Sequence, residues 1–317
     1  MRMSWLAALA VCVGCASPVF GQPELPAPDR PEVTKPTPSA LSDPDRPDVT
    51  NGTHIVAPGL VQVEFGGLYS RDAPNQGTAN SPFTVRIGVS RWFEARVGAD
   101  GLLSQSTGDL RTTGFGDVQL GAKLRLWSDP GGAPVLSILP TISLPTANTS
   151  DALVSGDVDY TVALLTGTDI GSRGHVDVNY GIGAIGAGHG LPHFSQHLLS
   201  ASVSAAVTDR WNPYGEVFWF SRTDPEGDAE TSFDTGVIYE LGAHYALDGG
   251  VQIGIGGPAA NFAVFAGVSV VFGADRSVNG RQRKVSAPKG TTHAAPPSSK
   301  APAARAASAA LPTRVLR

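Results

Sequence analysis

The fold is decided by one alternating stretch, Asp117-Val118-Gln119-Leu120-Gly121-Ala122-Lys123-Leu124-Arg125-Leu126. Successive residues of an extended strand point to opposite sides, so its charged and amide side chains fall on one face and its aliphatic side chains on the other. A helix would mix the two sets. The stretch therefore predicts a β-strand with one polar and one apolar face.

The same alternation returns along the middle of the chain and predicts twelve strands. They are expected at residues 61–70, 83–90, 93–100, 117–126, 134–144, 157–166, 175–185, 198–207, 214–221, 233–241, 247–255 and 262–272. Most are about 8 to 11 residues long, which is close to the length that a tilted strand needs to cross the hydrocarbon of a membrane.

Two folds show this pattern: a soluble sandwich with its apolar faces inward, and a membrane barrel with its apolar faces outward. The polar faces here are rich in glycine and charge, and the apolar faces lack the large residues that two packed sheets need. Short links near Arg91, Asp209 and Gly242 also alternate with longer polar ones at residues 71–81, 104–114, 146–156 and 222–230. We therefore predict an all-β fold, a closed antiparallel up-and-down transmembrane barrel of about 12 strands with both termini in the periplasm.

The first 21 residues have the layout of a cleaved signal peptide, with Arg2, an apolar run and small residues before the expected cut. A lipoprotein signal acylated at Cys15 is the alternative. Both cysteines of the chain, Cys12 and Cys15, lie in this segment. The mature chain therefore has neither a disulfide framework nor a cysteine-based zinc site. No later stretch reaches the roughly 18 apolar residues of a membrane helix.

The regions on either side of the barrel, which is expected at residues 55–273, differ from it in composition. Residues 22–54 are rich in Pro, Asp and Thr and predict a periplasmic linker or plug. They contain a repeat, in which Pro28-Asp29-Arg30-Pro31-Glu32-Val33-Thr34 returns as Pro44-Asp45-Arg46-Pro47-Asp48-Val49-Thr50. Residues 274–317 hold nine Lys or Arg against the single acid Asp275, which predicts a disordered basic tail.

Strand parity predicts that fifteen charged residues face the lumen. They are Glu64, Arg86, Glu94, Arg96, Asp100, Asp117, Lys123, Arg125, Asp157, Asp159, Asp177, Glu216, Asp234, Glu240 and Asp248. They form either a salt-bridged interior, because buried charges must be paired, or a polarised pore with a basic wall opposite an acidic one. The excess of acids predicts a preference for cations, unless residues 22–51 fold back and plug the pore with Arg30 and Arg46 docked on the acids.

The last predicted strand ends in an aromatic residue, Phe272, on an apolar outward face. This resembles the terminal assembly signal of outer-membrane barrels and makes the barrel assembly machinery an expected partner. A further 45 residues follow Phe272, whereas that signal usually ends the chain.

Three other motifs point away from enzyme, cofactor and metal chemistry. Residues 181–186 match a dinucleotide fingerprint, but no helix start follows them. His189, His193 and His197 are four residues apart and are expected in a surface loop rather than in a metal site. No serine beside His175 carries a nucleophile motif. We therefore expect no catalytic residue, no metal and no cofactor.

Several groups of residues, taken in chain order, resemble the outer-membrane proteins of the meta-pathway of phenol degradation family. They are Asp45-Arg46-Pro47-Asp48-Val49-Thr50, Gly59-Leu60-Val61-Gln62-Val63-Glu64, Gly114-Phe115-Gly116-Asp117-Val118-Gln119-Leu120-Gly121-Ala122-Lys123, Ser143-Leu144-Pro145-Thr146 and Val207-Thr208-Asp209-Arg210. The resemblance covers about residues 43–272. It implies an outer-membrane β-barrel of a Gram-negative cell that passes small molecules, aromatic or hydrophobic ones among them; it supports the fold far better than the substrate.

Two functions from different classes stay open at this point. One is a channel or transporter for small-molecule solutes in the cell outer membrane. The other is a structural barrel whose basic tail binds an anionic envelope partner such as peptidoglycan or lipopolysaccharide. In both cases outer-membrane lipid surrounds the barrel, and no nucleic acid is expected as a partner.

Overall fold

The computed structural model describes residues 44–46, 49–73, 75–128, 134–147, 154–188 and 190–273. The expected signal peptide, the first copy of the repeat and the basic tail lie outside these residues. The described part of the chain forms fifteen strands. They are β1 (Val61–Ala73), β2 (Gln76–Asn80), β3 (Phe83–Ser90), β4 (Phe93–Ala99), β5 (Leu102–Thr107), β6 (Leu110–Phe115), β7 (Val118–Trp127), β8 (Val135–Leu144), β9 (Asp159–Ile170), β10 (Gly174–Ile185), β11 (Phe194–Ala205), β12 (Trp211–Phe220), β13 (Glu230–Gly242), β14 (Tyr245–Gly256) and β15 (Phe262–Phe272).

Twelve of these strands form one closed antiparallel ring, because β15 pairs with β1 as well as with β14. The ring order is β1-β3-β4-β7-β8-β9-β10-β11-β12-β13-β14-β15. Closure gives every strand of the ring two partners, which removes the unpaired edge that an open sheet would present to lipid. The predicted barrel of twelve antiparallel strands is confirmed. No helix within the described ranges is long and apolar enough to cross a membrane.

The remaining strands β2, β5 and β6 continue ring strands past a bend. The bends lie at residues 81–82 between β2 and β3, 100–101 between β4 and β5, and 116–117 between β6 and β7. Pairing of β2 with β1 and β5, and of β5 with β6, carries the ladder past the bends. Gly101 has a φ of +65°, and a Cβ there would collide with the carbonyl oxygen of Ser81, so this bend requires glycine.

The bends correct two sequence-based predictions. Residues 71–81 and 104–114 were expected to be loops, but they are mainly strand. On β6 nearly all side chains are exposed on both faces, so no contrast between an apolar and a polar face marks it as a strand. Asp100 and Asp117, expected within strands, lie in the bends, and Asp157 lies just before β9.

The two faces of the barrel differ in chemistry. Outward residues such as Phe65 and Val251 are 51% and 49% exposed, whereas Glu64 and Gln62 on the opposite face of β1 are buried. An apolar band outside and a polar interior are what a lipid-embedded barrel needs. The partner of Val61 in the ladder is Phe272, so the chain enters and leaves the ring at the same rim.

Candidate functional site: the barrel lumen

Charged side chains fill the inner face of the barrel. Of the fifteen residues expected to face the lumen, ten are buried: Glu64, Arg86, Glu94, Asp100, Asp117, Lys123, Asp159, Glu216, Asp234 and Asp248. The other five are half-buried: Arg96, Arg125, Asp157, Asp177 and Glu240. A buried charge is tolerated only where it is paired or hydrogen-bonded, so the partners of these residues define the site.

Many of the partners come from the chain that precedes β1. Residues 44–46 and 49–60, called the luminal segment from here on, lie inside the barrel against its wall. They bond to inner-face residues on eight of the ring strands, namely Glu64, Arg86, Glu94, Arg96, Lys123, Arg125, Ser137, Asn179, Glu216 and Asp248. Because β4 and β12 are six strands apart in the ring, the luminal segment bridges opposite walls.

At the rim, the luminal segment turns tightly into β1. Gly59 donates a backbone hydrogen bond to Gly88 at 2.8 Å, and Gly88 donates one to Leu60 at 3.0 Å. A Cβ on Gly88 would collide with the carbonyl oxygens of Val56 and Ala57. Glycine at this position of β3 therefore lets the luminal segment lie directly against the wall.

Three cations on β3, β4 and β7, called the basic wall from here on, surround Asp45 of the luminal segment. Lys123 Nζ lies 2.6 Å and Arg86 Nη1 lies 3.4 Å from Asp45 Oδ2, which also pairs with Arg96. Burial raises the pKa of Asp45, but Arg86, Lys123 and Arg96 together lower it more strongly, so this pKa is well below its ordinary value of 3.8. Asp45 is therefore an anion in the lumen.

Two wall carboxylates complete this ionic cluster. Arg86 pairs with Glu64 at 3.0 Å and with Glu94 at 2.8 Å, and Arg96 pairs with Glu94 at 3.2 Å. The cluster thus holds three cations, Arg86, Arg96 and Lys123, against three carboxylates, Asp45, Glu64 and Glu94. Its formal charge is balanced, and one of its three negative charges belongs to the luminal segment.

The backbone of the luminal segment also binds the basic wall. Cationic side chains donate to three successive carbonyl oxygens: Lys123 to Gly52 at 2.7 Å, Arg125 to Thr53 at 3.4 Å and Arg86 to His54 at 3.3 Å. In the opposite sense, the backbone N–H of Val56 donates to Glu94 at 2.8 Å. The wall side chains thus satisfy backbone groups that in a sheet would bond to a neighbouring strand.

On β12 and β14, which belong to the side called the acidic wall from here on, the luminal segment binds two carboxylates. Glu216 accepts hydrogen bonds from the backbone N–H groups of Val49, at 2.9 Å, and Thr50, at 2.5 Å, and from the Thr50 hydroxyl. The Arg46 guanidinium lies 3.6 Å from Asp248. Arg46 is one of the two arginines that the plug hypothesis placed against these acids; the other, Arg30, lies outside the described residues.

Asn179 holds the middle of the luminal segment. Its side-chain oxygen accepts from the Asn51 backbone N–H at 2.7 Å, and its side-chain nitrogen donates to the Asn51 carbonyl at 3.0 Å. The side chain of Asn51 accepts a bond from Arg96 at 3.1 Å. Sequence reasoning missed Asn179, Asp45 and Thr50. The second copy of the repeat was the available signal for the latter two, whereas a lone asparagine on a strand gives none.

Four of the other acids expected in the lumen bind β7 or residues outside the strands instead of the luminal segment. Asp100 accepts from Gln119 at 2.9 Å, and Asp117 accepts from the Ala147 backbone at 3.0 Å. Asp157 and Asp159 accept from backbone N–H groups of residues 188 and 186, at 2.8 Å and 2.7 Å. The structure therefore does not bring these four acids into the ionic cluster around Asp45.

The last three of the expected acids have partners on their own strand or on a neighbouring one. Asp177 lies 3.2 Å from His175, and Glu240 accepts a bond from Asn212 at 3.1 Å. Asp234 stands opposite Glu216 in the ladder of β12 and β13. The carboxylates on this side of the barrel thus come from several strands.

The expectation of one surface loop for the histidines is corrected in part, because His193 precedes β11 whereas His197 lies on β11. His193 contacts the carbonyl of Val158 at 2.7 Å, and His197 contacts the Tyr180 hydroxyl at 2.8 Å. His189 lies outside the described residues. Within the described part of the chain, no group of three His, Cys, Asp or Glu residues is arranged to hold a metal ion.

Phe272, at the end of β15, is 55% exposed on the outer face.

A closed ring of antiparallel strands, apolar outside and charged inside, defines the class of outer-membrane β-barrels. Residues 44–272 match the family described as the MetA-pathway of phenol degradation. The chain belongs to this family, and the predicted resemblance is confirmed. The match begins at the luminal segment, so the family pattern includes the segment as well as the barrel. No curated protein sequence matches the chain.

Solved structures of outer-membrane barrels resemble this one. An outer-membrane channel from Pseudomonas putida F1 has a TM-score of 0.55 at 16% identity, covering 69% of this chain and 97% of that chain. The NanC porin has a TM-score of 0.45 at 13% identity, covering 66% of this chain and 98% of its own. The KdgM porin has a TM-score of 0.43 at 12% identity, covering 67% and 99%. At such identities the likeness to the Pseudomonas channel concerns the fold.

Proposed function

We propose that this protein is an outer-membrane channel for small molecules and that the luminal segment closes it in the state described. The observation that carries this proposal is the course of the luminal segment. Its Asp45 pairs with cations on one wall, and its other residues bind Glu216 and Asp248 on the opposite wall. Passage of a solute then requires this segment to move aside. The solutes are small and carry a polar group, because the inner wall is charged; the family description adds aromatic solutes to this class.

A flux experiment tests this proposal on three purified mature chains in proteoliposomes. They are the intact chain, a chain lacking residues 22–54 and a chain lacking residues 274–317. Swelling in iso-osmotic arabinose measures passage of a small neutral solute. We expect rapid swelling with the chain lacking residues 22–54, and slow swelling of equal rate with the other two.

Each other outcome has a definite meaning. If the chain lacking residues 22–54 inserts and swells no faster than the intact chain, the luminal segment does not close the pore. If none of the three chains passes solute, the channel proposal is wrong. The matched deletion of the basic tail separates opening of the lumen from a general effect of shortening the chain.

A further inference from the structure

The ionic cluster around Asp45 keeps its cations without the luminal segment. Arg86 and Lys123 are fully buried side chains of β3 and β7, and Arg96 lies on β4 between them in the ring. Arg86 is held by Glu64 and Glu94, both of which belong to the wall. Withdrawal of the luminal segment removes Asp45 and leaves these wall residues in the ring.

The charge balance of the cluster then changes by one unit. Three cations remain against Glu64 and Glu94, so the cluster lacks one negative charge. Three neighbouring cations with only two carboxylates between them repel one another, which makes this position selective for an anion. A monovalent carboxylate restores the balance and offers the same acceptor oxygens as Asp45, whereas a divalent phosphate or sulfate would leave the cluster with an excess of negative charge.

We propose that Arg86, Arg96 and Lys123 form a binding site for a small monovalent carboxylate, which Asp45 occupies while the luminal segment is docked. This inference rests on the proposed function, because the site becomes accessible when the segment leaves. A carboxylate solute competes with Asp45 for the same three cations. By binding the undocked state better than the docked one, it shifts the population toward the open channel.

Binding is tested with acetate, which is the chemical equivalent of the aspartate side chain, and with uncharged acetamide as control. Isothermal titration at pH 7 in detergent compares the intact mature chain, Asp45→Ala and Asp209→Ala, which removes an exposed turn carboxylate. We expect acetate to bind Asp45→Ala at least about tenfold more tightly than it binds the intact chain or Asp209→Ala. Acetamide should bind to none of them, and Asp45→Ala combined with Lys123→Met should lose acetate binding.

Folding of each variant is checked by the heat-dependent shift of intact barrels in gel electrophoresis. The chain lacking residues 22–54 is a second test, because it exposes the cluster without any substitution in the wall. Equal acetate affinity in Asp45→Ala, the shortened chain and the intact chain would overturn the proposal. Equal binding of acetate and acetamide would also overturn it, because the site would then not recognise charge.

Opening is tested in planar bilayers at constant chloride and ionic strength. Acetate should raise the open fraction of the intact chain, sulfate should raise it less, and acetamide should leave it unchanged. The two proposals fail separately. If the chain lacking residues 22–54 conducts but binds no acetate, the carboxylate site is refuted and the channel stands. If that chain binds acetate but does not conduct, the site stands and the channel is refuted.

Discussion

The side chain of Asp45 contacts three cations in the lumen, and its replacement should release the luminal segment. Asp45→Asn removes one negative charge from a buried balanced cluster, for which the expected loss of docking free energy is about 3–5 kcal/mol. Limited proteolysis of the folded barrel measures this as faster cleavage within residues 44–60. Asp209→Asn, at an exposed turn, is the matched control; equal cleavage of the two variants would contradict the role given to Asp45.

The low pKa of Asp45 also predicts how docking depends on pH. Burial raises this pKa, but Arg86, Lys123 and Arg96 lower it well below the undocked value of 3.8. A lowered pKa contributes stability that is fully present above the undocked pKa and is lost as pH falls through the docked one. The intact chain should therefore stay closed from pH 8 to pH 5 in conductance recordings. Opening of the intact chain at any pH between 8 and 5 would contradict this assignment.

Glycine 88 provides a test of the luminal segment that changes no charge. A Cβ on Gly88 would collide with the carbonyl oxygens of Val56 and Ala57, so Gly88→Ala should displace the segment and raise conductance. Gly67→Ala is the matched control, because a Cβ there would approach only the Asn80 carbonyl oxygen, at an ordinary 4.0 Å. Similar conductance of the two folded variants would count against close packing of the segment on β3.

At the scale of elements, the sequence predicted best where a strand separates two environments. The bounds of β3 and β15 match the predicted residues 83–90 and 262–272, because every outward residue of both strands is apolar. The prediction failed for β2, β5 and β6, whose sequences lack a regular alternation of apolar and polar residues. Those strands are held by backbone pairing, which does not require apolar and polar residues to alternate along the sequence.

The partners of the lumen charges could be predicted only in part. Strand parity predicts an inward face for Glu216, but no local pattern indicates that its partners are Val49 and Thr50, which lie far away in the chain. The luminal segment has no regular secondary structure, so periodicity cannot report its orientation. Its charge pattern did indicate Arg46 as a residue that could dock on the acids, because opposite charges attract whatever the backbone conformation.

The last strand carries the prediction about assembly. Phe272 ends the outward apolar face of β15 and is 55% exposed there, so Phe272→Ala should reduce insertion of the barrel into the outer membrane. Deletion of residues 274–317 should leave insertion unchanged, because those residues follow the strand. The measurement is the fraction of heat-modifiable barrel in outer-membrane extracts. Normal insertion of Phe272→Ala together with failure of the shortened chain would contradict this role of β15.

At the scale of the whole molecule, we expect the lumen of an undocked barrel to be acidic. Eleven acids and four Lys or Arg were assigned to its inner face from the sequence, and a low-dielectric wall focuses their net field toward the axis. The chain lacking residues 22–54 should therefore prefer potassium over chloride. Reversal potentials under a salt gradient measure this preference, with the chain lacking residues 274–317 as control. Anion preference of the chain lacking residues 22–54 would refute the acidic lumen. A single carboxylate site on the basic wall is compatible with a preference of the whole pore for cations.

Arg46 lies at the position where the barrel closes on itself. Its guanidinium covers Gly66 of β1 and Gly267 of β15, which face each other in the ladder, and a Cβ on either glycine would press against it. Its partner Asp248 comes from β14. This binding position of Arg46 does not exist until the last strand has paired with the first. The Arg46 end of the luminal segment can therefore reach its docked position only after the barrel has closed, so complete docking follows closure of the ring.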